Sequence, residues 1–386
     1  VPANLISTTI DDGLLRGHLD LEATARGLLP HRLPAAARRR IPDARLASAE
    51  AQPSGVRLVF RTAATVIELE TLPTKRAYAG LPPLPDGVYD LVVDGRLVAR
   101  TTVPGGNVET VVDMVTQEAE RTEGPSGIAR FADLPAGEKH VEIWLPHNEI
   151  TELVALRVDA PVVPAGRRER VWLHHGSSIS HGSGATHPTG TWPAIAAASG
   201  GVDLVNLGFG GSALLDPFVA RAIRDTPADL ISLKSGINLT NMDVMRLRAF
   251  VPAVHGFLDT VRDGHPTTPL LLVSPILCPI QEDTPGPVMP VPSATGLRFE
   301  ATGDPAEVPA GRLTLSVIRD ALERIVADRS GQDPHLHLLD GRALYGADDY
   351  ARLPLPDELH PDAATHALIG ARFGELAFGA GGAFAS

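Results

Sequence analysis

From residue 171 onward the chain repeats one pattern: a short apolar run, a turn rich in glycine or serine, then a longer segment of helical character. The runs are "VWLHH" (171–175), "VDLVNL" (202–207), "DLISLKS" (229–235), "PLLLVSP" (269–275) and "HLHLLD" (335–340). Helical segments between them include "MDVMRLRAFVPAVHGFLDTVRDG" (242–264) and "GRLTLSVIRDALERIVADRSG" (311–331). Apolar runs alternating with helices predict a parallel sheet covered on both faces, since each crossover helix hides one side of it. Ligands in such sheets bind beyond the carboxyl ends of the strands. Any site in this half is expected there.

Residues 1–165 follow a different rhythm. "VRLVFRTAATVIELETL" (56–72) alternates apolar and polar residues as a half-buried strand pair does. "GVYDLVVDGRLVARTTV" (87–103) places Asp94-Gly95 between apolar runs, a hairpin signal. "KHVEIWLPHNEITELVALRVD" (139–159) adds two strands around Pro146-His147-Asn148. Short strands with regular turns predict a β-sandwich, jelly-roll-like, over 1–165. The Pro/Arg-rich "APVVPAGRRER" (160–170) reads as the linker to a second domain over 166–386. A length of 386 residues fits two domains.

Composition narrows the function. A net charge of −12 argues against nucleic acid or an anionic membrane surface as partner. Cys278 is the only cysteine, which excludes an intramolecular disulfide and a cysteine-rich metal site. "VPANLISTTIDDGLLRGHLD" at the start has no basic-then-apolar signal pattern, and no apolar run is long enough to span a bilayer. The plain expectation is a soluble, cytoplasmic protein; a signal already removed stays open, as does the oligomeric state.

Four motifs fall at the predicted sheet edge, and each has a plainer reading. Gly176-Ser177-Ser178 follows the first strand, where small residues permit a sharp turn that presents a hydroxyl; the plainer reading is a Gly/Ser loop. "NLGFGGS" (206–212) follows the second. Gly208 to Ala213 also fit G-x-G-x-x-A, but a dinucleotide site expects an acidic residue at the end of the next strand, where Lys234 and Ser235 stand. "SGINLTN" (235–241) follows the third, and Asn238 is either an amide donor or a turn residue. In "LPDELHPD" (355–362) Asp357 and His360 are three apart, close enough to bond within one turn, with Pro361 opening the last helix; a capping Asp and a surface His would look the same.

The order Ser, Gly, Asn, Asp-x-x-His at successive strand ends resembles the SGNH/GDSL hydrolase superfamily over residues 171 to about 380. The resemblance implies a flavodoxin-like α/β catalytic domain with helices on both faces, and its bacterial members can carry an N-terminal, carbohydrate-module-like sandwich. It implies Ser178 as nucleophile, Asp357 and His360 as the acid–base pair, and an oxyanion hole from the Ser178 and Gly211 backbone N–H groups and the Asn238 amide. No cofactor or metal is implied. Gly-Ser-Ser replaces the family's usual Gly-Asp-Ser, and Gly-Ile-Asn its Gly-Thr-Asn-Asp. The expected activity is an esterase acting on an O-acyl ester of a small molecule, sugar or natural product. The alternative is an O-acyltransferase moving an acyl group from a thioester donor to a hydroxyl of a glycosylated natural product. A non-catalytic glycan- or partner-binding protein is the reading of another class.

Other features point elsewhere. His174, His175, His181 and His187 look like a metal cluster, but adjacent strand residues face opposite sides. His255 and Asp259 fit H-x-x-x-D in mid-helix, with no companion motif. Lys234 reads as a strand-end lysine reaching solvent, or less simply as a grip on an acidic substrate. The stretch 274–311 holds eight prolines, long for a connection, and Met289, Leu297 and Phe299 could line an apolar cleft.

Overall fold

A computed structural model describes residues 5–113, 116–293 and 296–385. The chain divides into two compact units, Val1–Arg168 with Thr186–Thr189, and Glu169–Ala185 with Gly190–Ser386.

The first unit is rich in strands, arranged as an eight-stranded and a six-stranded sheet. In the smaller sheet Arg57–Thr62, Lys139–Trp144, Val88–Val93 and Arg96–Thr102 lie side by side. The hairpin turn sits where Asp94-Gly95 predicts it, with φ of 48° and 77° at the two residues. Ile67–Tyr78 and Ile150–Val158 form the middle of the larger sheet. Leu58, Phe60, Leu91 and Ile143 of one sheet meet Leu69, Leu153 and Leu156 of the other in a single buried cluster. Each such side chain contributes about 1.5–3 kcal/mol by leaving water. The expected linker is partly strand: Val162–Pro164 pairs with Arg57–Thr62 at the edge of the smaller sheet, with Val162 packed against the buried cluster.

The second unit is built on five parallel strands: β1 (Val171–Gly176), β2 (Asp203–Gly208), β3 (Leu230–Lys234), β4 (Leu270–Val273) and β5 (Leu336–Leu339). Their order is β2-β1-β3-β4-β5, the flavodoxin-like arrangement, with its switch point between β1 and β3. The helices used below are α1 (Ser178–His181), α2 (Trp192–Gly200), α3 (Ile237–Asn241), α4 (Leu247–Gly264), α5 (Leu315–Arg329) and α6 (Ala363–Phe373). Trp172 of β1 stacks on Phe373 of α6, and His174 meets Trp192 of α2 edge-on. His175, one residue further and so on the other face, stacks on Phe257 of α4. Both faces are thus covered. Among the described residues no helix is long and apolar enough to cross a membrane.

Candidate active site

The first motif folds as a tight strand-to-helix turn. A Cβ on Gly176 would lie 2.3 Å from the Ser180 hydroxyl, and one on Gly208 would lie 2.4 Å from the His181 amide nitrogen. Glycine at both positions lets α1 settle onto the ends of β1 and β2 and holds Ser178, 8% exposed, at the sheet edge. The same approach closes the dinucleotide reading, because the chain's own helix fills the space over Gly208.

The last motif closes on the first. The His360 Nδ1–H donates to Asp357 Oδ2 at 2.7 Å, and His360 Nε2 stands 3.1 Å from Ser178 Oγ, placed to accept its proton. Asp357 Oδ1 accepts from the backbone N–H of Leu359 (2.9 Å) and His360 (2.6 Å). Burial pushes the Asp357 carboxyl up, but His360 and those two amides outweigh it and hold it below the usual range. The helix cap is a different residue: Asp362 accepts from Thr365 N–H at 2.8 Å, so Asp357 is not the cap, and Pro361 precedes the N-cap instead of opening the helix.

The second and third motifs meet through one hydrogen bond. Asn238 Oδ1 accepts the Ala213 N–H at 3.1 Å, which fixes the direction of the amide. Its Nδ2 is buried and has no hydrogen-bond partner among the described residues. A buried donor left open costs about 1–3 kcal/mol, the pattern expected of a group kept for a transient partner. Gly236, at φ 131°, starts α3 in a conformation that favours glycine. Gly211, at φ 69°, shapes the loop after β2, and a Cβ on the neighbouring Gly210 would lie 3.9 Å from Ser178 Cβ. The loop therefore passes beside the serine.

The remaining candidates disperse. His174 is fully buried, its Nε2 2.7 Å from Ser180 Oγ and its Nδ1 2.7 Å from Ser232 Oγ, and burial holds it well below its ordinary pKa. His175 Nδ1 donates to the Leu207 carbonyl, His181 Nδ1 accepts from Gly210 N–H, and His187 lies with the first unit. They do not converge on one point. His255 and Asp259 both meet Arg329 on the outer side of α4. Lys234 corrects the solvent reading: it is 2% exposed, and burial, then Arg319, push its pKa down to about 8. Sequence reading missed Asn206, whose Nδ2 donates to the Ser180 carbonyl and whose Oδ1 accepts from Gly208 N–H. Its only signal was its spacing from Gly211. It also missed His366, which accepts Trp192 N–H and donates to the Ser183 carbonyl.

A family model of GDSL-like lipases/acylhydrolases matches residues 169–279, and a model of the SsfX3 N-terminal domain matches 14–154. Among solved structures, the salicylyl-acyltransferase SsfX3 from a tetracycline biosynthetic pathway superposes with a TM-score of 0.78 at 28% identity, covering 96% of both chains. The chain belongs to the SGNH/GDSL hydrolase superfamily. A GDSL-like lipase from Bacteroides ovatus shares the fold at TM-score 0.68 and 19% identity, with 96% of both chains covered. So does a family two carbohydrate esterase from Cellvibrio japonicus, at 0.55, 13% and the same coverage. No curated protein matches. As a member of the superfamily the chain is a serine esterase or acyltransferase, which sets aside the non-catalytic reading.

Proposed function

We propose that the SGNH domain moves acyl groups through an acyl-Ser178 intermediate. The observation that carries this is the Asp357–His360–Ser178 chain of contacts, 2.7 and 3.1 Å, together with the open amide of Asn238. His360 Nε2 takes the hydroxyl proton as Ser178 Oγ bonds to the carbonyl carbon. Asp357 holds the Nδ1–H tautomer and stabilises the imidazolium. Charge gathering on the carbonyl oxygen is met by the Asn238 Nδ2–H and the N–H groups of Ser178 and Gly211. Collapse breaks the bond to the leaving group, which departs with the proton from His360. An incoming hydroxyl then reverses the sequence and frees the serine.

Water as that hydroxyl makes the protein an esterase on a small-molecule or carbohydrate O-acyl ester. An alcohol makes it an acyltransferase, a reading favoured by the likeness to SsfX3 along both parts of the chain. All five residues lie in the second unit, so the first serves binding or stability and supplies none of this chemistry. The test is to treat the protein with a fluorophosphonate and map the label, and to follow p-nitrophenyl acetate with and without alcohol acceptors. The label is expected on Ser178, with turnover and label both lost in Ser178→Ala. Labelling of Ser177 or Ser180 instead would overturn the assignment.

A further inference from the structure

The proline-rich stretch after β4 has no part in the acyl-transfer steps, yet it touches both sides of the site. Its strands Val288–Ser293 and Gly296–Ala301 form an antiparallel ribbon with Val288 opposite Ala301, Pro290 opposite Phe299 and Pro292 opposite Leu297. Directly opposed residues share a face. One face therefore carries these six residues, all apolar. The other carries Met289, Val291 and the ion pair between Arg298 and Glu300. The prolines fit because the Phe299 N–H points away from its partner strand, so Pro290 opposes it without needing a donor.

That outward N–H donates to the carbonyl of Asp357 at 2.9 Å. The Phe299 ring meets the His360 imidazole edge-on, 5.6 Å between centres at 80°. At the ribbon's base Gly286 lies so close to the Thr240 carbonyl of α3 that a Cβ there would fall 1.8 Å from the oxygen. Arg312 Nη1 also donates to the Gly286 carbonyl at 2.9 Å. The ribbon thus runs from the helix bearing Asn238 to the loop bearing Asp357 and His360, with its apolar face turned to the histidine.

Chemistry says what belongs beside that face. The carbonyl oxygen of a reacting ester must point to the Asn238 amide. The alcohol oxygen must lie at His360 Nε2, which protonates it as it leaves or deprotonates it as it attacks. We propose that the apolar face of the ribbon, centred on Phe299, is the subsite for the alcohol portion, selecting alcohols with an apolar ring over small or polar ones. Phe299 is then a specificity-determining residue. The inference rests on the acyl-Ser178 reading.

Acetyl esters of 1-naphthol and of 2,2,2-trifluoroethanol keep the acyl group constant and change only the alcohol. Phe299→Ala is expected to lower kcat/KM for the naphthyl ester about tenfold while the trifluoroethyl ester stays within about twofold. Phe299→Tyr, which keeps the ring, should retain the wild-type preference. An equal fall for both esters would mean that Phe299 only buttresses His360, and an unchanged ratio would mean that the alcohol binds elsewhere; either overturns the proposal. Fluorophosphonate labelling separates the two levels. A protein that labels at Ser178 but shows no Phe299-dependent preference loses this inference alone, whereas one that neither labels nor turns over either ester loses the acyl-enzyme reading with it.

Discussion

Each unit of the molecule contains an aspartate bonded to a histidine, and the two pairs have the same 2.7 Å length. In the first unit Asp90, fully buried, accepts from His187 Nδ1–H and from the amide and hydroxyl of Thr189. In the second, Asp357 accepts from His360 Nδ1–H and two backbone amides. Both carboxyls are pushed up by burial and pulled lower still by those donors. The difference lies at the far nitrogen. His187 Nε2 accepts from Arg100 at 2.8 Å, whereas His360 Nε2 faces a hydroxyl. A third arrangement makes the converse point: His174 and Ser180 are 2.7 Å apart, but both are sealed in the core without a carboxylate. Contact between two of the three groups is common structure; of these three arrangements, the one at the parallel-sheet edge joins carboxylate, imidazole and hydroxyl in one chain of contacts.

The sharpest way to break this comparison is to remove each histidine in turn. His360→Ala is expected to lower kcat on p-nitrophenyl acetate by about 10⁴–10⁶-fold, and Asp357→Asn by about 10⁴-fold, with KM little changed. His187→Ala should leave the rate within about twofold and show its cost in the melting temperature instead. A comparable loss in His187→Ala would erase the distinction between the pairs.

A smaller effect tests the open amide. Asn238→Ala should reduce kcat by about 10²–10³-fold, or roughly 3–4 kcal/mol, and slow fluorophosphonate labelling of Ser178 without abolishing it. Wild-type rates would show that the unpaired Nδ2 is an accident of packing.

The smallest effect concerns stability. Burial pushes His366 down to about 4, against 6.5 in the unfolded chain. Between those values the unfolded chain binds the extra proton, so stability is full above about pH 6.5 and falls as pH drops toward 4. The loss by pH 5 is about 2 kcal/mol from this residue, read as a lower urea midpoint than at pH 7. His366→Gln should flatten that slope, while His187→Ala, in the other unit, should leave the His366 contribution in place. An equal slope in His366→Gln would remove the assignment.

Much of this site was legible from local pattern. Gly176, Gly208 and Gly236 stand where backbone or side chain approaches too closely for a Cβ, and such positions leave a glycine in the sequence. Asp357 and His360 are three residues apart, so their bond is nearly a local event. The ribbon was not legible. Its prolines read as a breaker-rich insertion, because the pairing that makes alternate prolines acceptable depends on where the Phe299 N–H points. The Asp90–His187 pair was equally invisible, its partners 97 residues apart with no periodic signal.

What the sequence determined by itself was the α/β alternation, the strand-rich front half and the order of the motif residues, since periodicity and turn chemistry act over a few neighbours. What only the tertiary structure decided was which of three histidine arrangements holds a carboxylate and a serine together. That choice rests on separations of up to 182 residues, between Ser178 and His360, and on burial that no short window of sequence contains.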